Sequence, residues 1–159
     1  MSEPNDAVPG WLPEEVVLDQ PTRSSRLRWV LLVDADLPAG VAVNAAACTA
    51  AQVGSAVAGL LGPGGPDADG GVHPGLPWAG CTVLAATAEQ LRVVHAKAAG
   101  ALGVWAVGMP ASAQTNRVYA EYLQELATTA TDELALRALS LLGPRNRIDK
   151  LVGKLPLLT

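Results

Sequence analysis

The stretch Leu31-Leu32-Val33-Asp34-Ala35-Asp36-Leu37-Pro38-Ala39-Gly40 decides the fold. From residue 28 to residue 34 the chain is a nearly continuous apolar run that includes the β-branched Val30 and Val33. A run of that kind, without polar alternation, predicts a central strand covered on both faces. Pro38 and Gly40 then punctuate a sharp turn. Beyond it the residues are small, from Ala45 to Gly59, and their pattern predicts a helix over residues 43–61. No bulky side chain holds such a helix away from a sheet.

Leu61-Gly62-Pro63-Gly64 ends that helix and opens a Gly/Pro-rich loop over residues 62–80. A loop of that length in a compact domain points to function or mobility. Further strands are expected at 81–86, 103–107 and 136–142, with helices at 88–99 and 114–128. The latter carries a core stripe of Tyr119, Tyr122, Leu123 and Leu126. Gly143-Pro144 closes the last strand, residues 148–152 make one or two helical turns, and an apolar tail follows. Strands alternating with helices imply a three-layer α/β/α fold around a small, mostly parallel four-stranded sheet. Residues 27–159 form its single domain and residues 1–26 an extended N-terminal arm, with Trp11, Leu12, Val16, Val17 and Leu18 available to dock on its surface.

Half of the 159 residues are hydrophobic and 16% are charged, which describes a globular chain with a real core. No apolar run reaches the roughly 18 residues of a membrane span. The acidic start, Met1-Ser2-Glu3-Pro4-Asn5-Asp6, lacks the basic and apolar parts of a signal peptide, so a cytoplasmic protein without membrane partners is expected. A net charge of −4 argues against nucleic acid as a partner. Charge is nonetheless uneven: Arg145, Arg147, Lys150 and Lys154 stand near the end against a single acid, Asp149. That patch suits either a phosphate or carboxylate, or plain solvation. Cys48 and Cys81 have no second ligand at metal spacing, and read as buried small hydrophobes or as a reactive thiol.

Asn44 stands at the expected entrance to the first helix, where it can cap the helix or touch an anion held by the free N–H groups there. His73 lies in the long loop downstream of Asp67 and Asp69, and a histidine near a carboxylate can move a proton near neutral pH. The same Asp67-Ala68-Asp69-Gly70 is equally ordinary turn chemistry. Gln114 and Arg117 open the later helix on the rim where open α/β sheets gather ligands. Arg117 can clamp a carboxylate or phosphate, or stay solvated. Asp36, after the first strand, and Asp69 complete the candidate ligand-binding set of Asn44, Asp36, Asp69, Gln114 and Arg117, with His73 as the catalytic candidate. Metal ligation is not expected. No phosphate-cradling glycine loop precedes a helix, and no cofactor is expected.

Two segments carry a resemblance. Asp36-Leu37, Gly143-Pro144, Ile148-Asp149-Lys150, Gly153, Leu155 and Leu157 resemble the opening and closing segments of the peptidyl-tRNA hydrolase II family. Trp29-Val30, Asn44-Ala45-Ala46, Gly71-Val72-His73-Pro74-Gly75 and Arg117-Val118-Tyr119-Ala120-Glu121-Tyr122 bring the chain closer to a bacterial family with that fold and no assigned function. The resemblance implies the hydrolase's fold. Its active members carry a lysine entering the first helix, a glutamine one turn later and an acid after the third strand. Those positions fall near Val43, Ala47 and Met109 here, so the hydrolase activity is expected to be absent or very weak.

Two functions from different classes follow. One is a domain that binds a small anionic metabolite without catalysis. The other is a hydrolase- or lyase-type enzyme acting on a small polar metabolite, with Asn44 on a cleft floor and His73 and Arg117 on its walls. A deep pocket holding both His73 and Asn44 would favour the enzyme. A homodimer is expected, with Trp11 and Leu12 of the arm covered by the partner.

Overall fold

The computed structural model describes residues 7–159, which build one mixed α/β unit. Strand β1 (Leu27–Asp34) enters helix α1 (Ala39–Ala56), and a small hairpin of β2 (Gly65–Pro66) and β3 (Val72–His73) follows. Then come β4 (Thr82–Ala86), α2 (Ala88–Ala99), β5 (Trp105–Pro110), α3 (Ser112–Thr115), α4 (Tyr119–Thr128), β6 (Leu136–Pro144) and α5 (Arg145–Val152). Short 3-10 turns occupy Pro13–Glu15, Thr22–Ser24 and Thr131–Glu133.

The main sheet has the order β4-β1-β6-β5. β1 pairs parallel with β4, but β6 is antiparallel to both of its neighbours, β1 and β5. The expectation of a mostly parallel sheet is therefore corrected: the pairing is mostly antiparallel. The reason lies in the connections. Helices α1 and α2 each carry the chain back across the sheet, so β1, β4 and β5 all run the same way. The segment with α3 and α4 does not cross; it returns to the end where β5 stopped, placing Leu136 opposite Pro110. From there β6 can only run backwards.

Successive residues of β1 serve opposite faces, as the strand geometry requires. Val30 and Leu32 pack with Leu91, Val94 and Ala98 of α2 and with Ile148 and Val152 of α5. Leu31 and Val33 meet Ala45 of α1, and Trp29 meets Val53 of the same helix. The buried stripe of α1 is Ala45, Thr49 and Val53, at the i, i+4, i+8 spacing of one helix face. Trp29 Nε1 donates to Ser140 Oγ at 2.6 Å, which satisfies the buried polar pair between β1 and β6.

Three further boundaries differ from expectation. Helix α1 starts at Ala39, because Pro38 takes the cap position that suits its fixed φ, and it ends at Ala56 rather than at residue 61. Val57 is extended, and Gly59 turns the chain at φ +69°. The helix expected over 114–128 is two: α3 stops at Thr115, where Asn116 Nδ2 takes the Ser112 carbonyl at 3.0 Å and Glu125 at 2.8 Å, a side chain competing with helical continuation. The apolar tail covers the outer edge of β4, with Ala85 N donating to Pro156 O and Leu158 N to Val83 O. A covered edge cannot recruit another strand.

The arm is not merely docked. Trp11 is 3% exposed within the cluster of Leu27, Trp29, Leu60 and Leu142. Its Nε1 donates to Ser25 Oγ at 2.8 Å, and its ring meets Trp78 edge-on. A partner therefore has no exposed Trp11 to cover, whereas Leu12 is exposed as expected. The acidic segment Met1 to Asp6 lies outside the described residues.

Candidate functional site

The carboxyl end of β1 carries Asp34, whose Oδ1 accepts the Asp36 backbone N–H at 3.1 Å and so closes the turn into α1. Because α1 begins at Ala39, Asn44 lies in its second turn and caps nothing; the cap position belongs to Pro38. Asn44 does something else. Gln114 of α3 reaches across from the end of β5, and its Nε2 donates to Val41 O at 3.0 Å and to Asn44 Oδ1 at 2.7 Å. The other end of the same amide, Oε1, accepts Arg137 Nη1 at 2.6 Å.

A relay results: the Arg137 guanidinium, the Gln114 amide, then the Asn44 amide. With Gln114 locked by Arg137 on one side and Val41 on the other, the amide of Asn44 is oriented with its oxygen inward. Its Nδ2 has no acceptor among the described residues, and the side chain is exposed. Arg137 is half-buried and has no carboxylate partner among the described residues. A register shift sits between Met109 and Pro110, directly opposite this part of β6. It sends Leu136 to the α2 face and Ala138 to the α1 face, although residues two apart in a regular strand share a face.

Arg137 escaped the sequence reading. The signal was present, since it is the single charge in the run from residue 134 to residue 142, where Ser140 is the other polar residue. A charge in a strand that is otherwise buried needs a partner, and Gln114 supplies it.

The other expected residues fall apart from this relay. Arg117 is exposed in the link between α3 and α4 and bonds none of its members. His73 lies on the β2–β3 hairpin, beyond the far end of α1, and α1 alone rises about 18 Å from Asn44 to Ala56 at ~1.5 Å per residue. The single cleft with Asn44 on the floor and His73 and Arg117 on its walls is therefore not formed. His73 instead bonds Asp67 Oδ2 through Nε2 at 2.8 Å, with both side chains well exposed. Asp67 Oδ1 also takes the N–H groups of Gly71 at 2.8 Å and Asp69 at 3.0 Å. The His73 bond first, and then the backbone N–H groups, hold the Asp67 carboxyl below the usual carboxylate range. Asp69 contributes its backbone N–H to this turn.

A cavity of about 630 Å3 lies between α2 and α5, lined by Val94, Leu151 and Leu155 and by Lys97, Lys150 and Lys154. It holds part of the basic C-terminal patch and none of the rim residues. No helix among the described residues is long and apolar enough to cross a membrane.

A solved structure of similar fold is a protein of unknown function, Atu0240, from Agrobacterium tumefaciens strain C58. It shares 19% identity, covers 84% of this chain and 98% of its own, and has a TM-score of 0.74. No curated protein matches the chain. A family model does, across residues 27–159, which is β1 through the tail. The chain belongs to that family, DUF2000, described as a protein of unknown function.

Proposed function

We propose that this chain is a binding domain for a small anionic ligand, held without catalysis at the carboxyl-end rim of β1. One observation carries the reading: the Arg137–Gln114–Asn44 relay joins a half-buried cation to a pre-oriented amide donor. Arg137 supplies charge and Asn44 Nδ2 direction, while Gln114 fixes both. Asp36, exposed on the same rim, is placed to accept from a hydroxyl or ammonium of the same ligand. The positions that carry the hydrolase's machinery support a non-catalytic reading. Val43 is 68% exposed, Ala47 beside it is apolar, and Met109 is buried, so none can polarise an ester or orient water.

The test is a thermal-shift screen of small carboxylates at constant ionic strength. A ligand at a hundredfold excess over its Kd stabilises by about 2.7 kcal/mol, an easily read shift. Arg137→Gln abolishes that shift. A screen with no stabilising anion, or a shift indifferent to Arg137→Gln, overturns the reading.

An enzymatic reading rests on the His73–Asp67 pair, which is arranged as a base with an orienting carboxylate. It works at the hairpin and not at the rim, so His73→Ala would end turnover while sparing rim binding.

The layering of α1 on one face and α2 with α5 on the other supports the three-layer, peptidyl-tRNA hydrolase II-like reading. Cys48 and Cys81 are exposed rather than buried as expected, and two free thiols suit a reducing cytoplasm. A homodimer finds support in α4, whose expected core stripe is not buried: the helix has no buried residue and exposes Tyr119 and Leu123, with Val118 exposed just before it.

A further inference from the structure

At the opposite end of β1 lies a second polar site that the rim reading does not use. The Thr22–Ser24 turn, the start of β1, the start of β4 and the first residue of α5 enclose a groove of about 480 Å3. Arg23, Arg28 and Arg145 line it, together with Thr22, Cys81 and Thr82, and no carboxylate does. In a chain with a net charge of −4, three guanidiniums in one groove are a local inversion of sign.

Their surroundings leave most of that charge uncancelled. Arg145 donates to the carbonyl oxygens of Ser25 and Thr22, each at 3.1 Å. Both acceptors are neutral, so they pin the side chain without neutralising it. Arg28 pairs with Asp149 of α5. Arg23 is exposed and has no partner among the described residues. Three cations thus face one acid, and that acid is held from outside the groove.

We propose that this groove binds a phosphoryl dianion, either the free ion or the head of a phosphomonoester. A carboxylate is planar, and one guanidinium fork satisfies its two oxygens. Arginines arriving from three chain segments instead suit a tetrahedral group that accepts from several directions. The hydroxyls of Thr22 and Thr82, which also line the groove, add neutral donors. A volume of about 480 Å3 leaves room beyond a bare phosphate for part of an ester's remainder.

The experiment is calorimetric titration of the full chain with inorganic phosphate and, separately, with glycerol phosphate, at one ionic strength set by sodium chloride. Both bind, and Arg23→Ala weakens both about tenfold or more, as the loss of one charge-assisted contact requires. Arg23→Lys restores part of the loss. Tighter binding of the ester identifies the metabolite head as the source, and equal binding identifies the free ion. Arg23 is exposed and anchors no other residue, so its variants fold. Amide NMR under the same titration moves Thr22, Arg23, Gly80 and Thr82. No binding by either compound overturns the proposal. So does binding indifferent to Arg23→Ala, or shifts that cluster at Asn44 and Gln114 instead.

Discussion

Strand β6 carries an arginine near each end, and the two are used differently. Arg137, near its start, spends one donor on Gln114, which passes the polarity on to Asn44. Arg145, just past its end, spends its donors on backbone carbonyls and stands with two more arginines. Asp34 and Asp36 share the first end, whereas no carboxylate lines the second. One end is a directional device built from a single charge and two oriented amides. The other is an additive one, built from charge alone. Interactions of exposed charges are screened over about 8–10 Å at physiological salt. Binding at the groove should therefore fall steeply with salt, and binding at the rim should fall less.

Cutting the strand that joins them gives the largest effect. Leu139 is fully buried midway along β6, so Leu139→Ala should cost about 2–5 kcal/mol and weaken both ends together. Chemical denaturation reads the loss, and a variant that kept wild-type stability would show the two ends to be independent of this core. Ser140→Ala is next. It leaves the buried Trp29 indole N–H without its acceptor, a penalty of about 1–3 kcal/mol. Because Trp29 also borders the groove, this change should disturb the arginine end more than the rim.

Gln114→Leu separates the ends sharply. It removes the link between Arg137 and Asn44 at a cost of about 1 kcal/mol per lost net hydrogen bond, abolishes rim binding and leaves phosphate binding at the groove intact. Equal loss at both ends would show that the relay is only structural. Asn44→Ala should change stability by less, about 0.5 kcal/mol in either direction. Alanine is the better helix former in the second turn of α1, and this gain offsets the lost bond from Gln114. A cap would have cost more, so this variant also checks where the helix starts.

Much of the frame could be read from residues alone, for local reasons. The run through Leu31 and Val33 is a covered strand. Helix α2 spans Ala88–Ala99 as its spacing predicts, started by the reciprocal Thr87 and Gln90 bonds. What escaped was non-local. The direction of β6 depends on which end of the sheet the α3–α4 segment returns to, and no periodicity encodes that. The same return brings Gln114 to Asn44, 70 residues away in sequence, and adds Arg137 from a mostly apolar strand. His73 and Asp67 could be paired in advance because only six residues separate them. Their distance from Asn44 could not, since it follows from α1 crossing the whole sheet.

The smallest effect concerns a fourth arginine beside the groove, one that is balanced. Arg26 Nε and Nη2 bond the two oxygens of Glu15 at 2.6 and 2.9 Å, and Nη2 also takes the Gly10 carbonyl, tying the arm to the start of β1. The Arg26 hydrogen bonds first, and then the Leu12 backbone N–H, hold the Glu15 carboxyl down to about 2 from an ordinary 4.5. A depressed carboxyl contributes stability that is fully present above pH 4.5 and is lost as pH falls from there through about 2. Arm docking should therefore loosen within that acid window, and the pair's exposure keeps the change small. Release of Trp11 from its buried contact with Trp78 gives the fluorescence readout. Glu15→Gln should remove this part of the acid transition. Losing the balancing carboxylate would also leave Arg26 as a further unpaired cation beside Arg145, so the same variant should tighten phosphate at the groove slightly at neutral pH. An acid transition unchanged by Glu15→Gln would assign the loosening to other carboxylates and confine the contrast between the two ends to the arginines lining the groove.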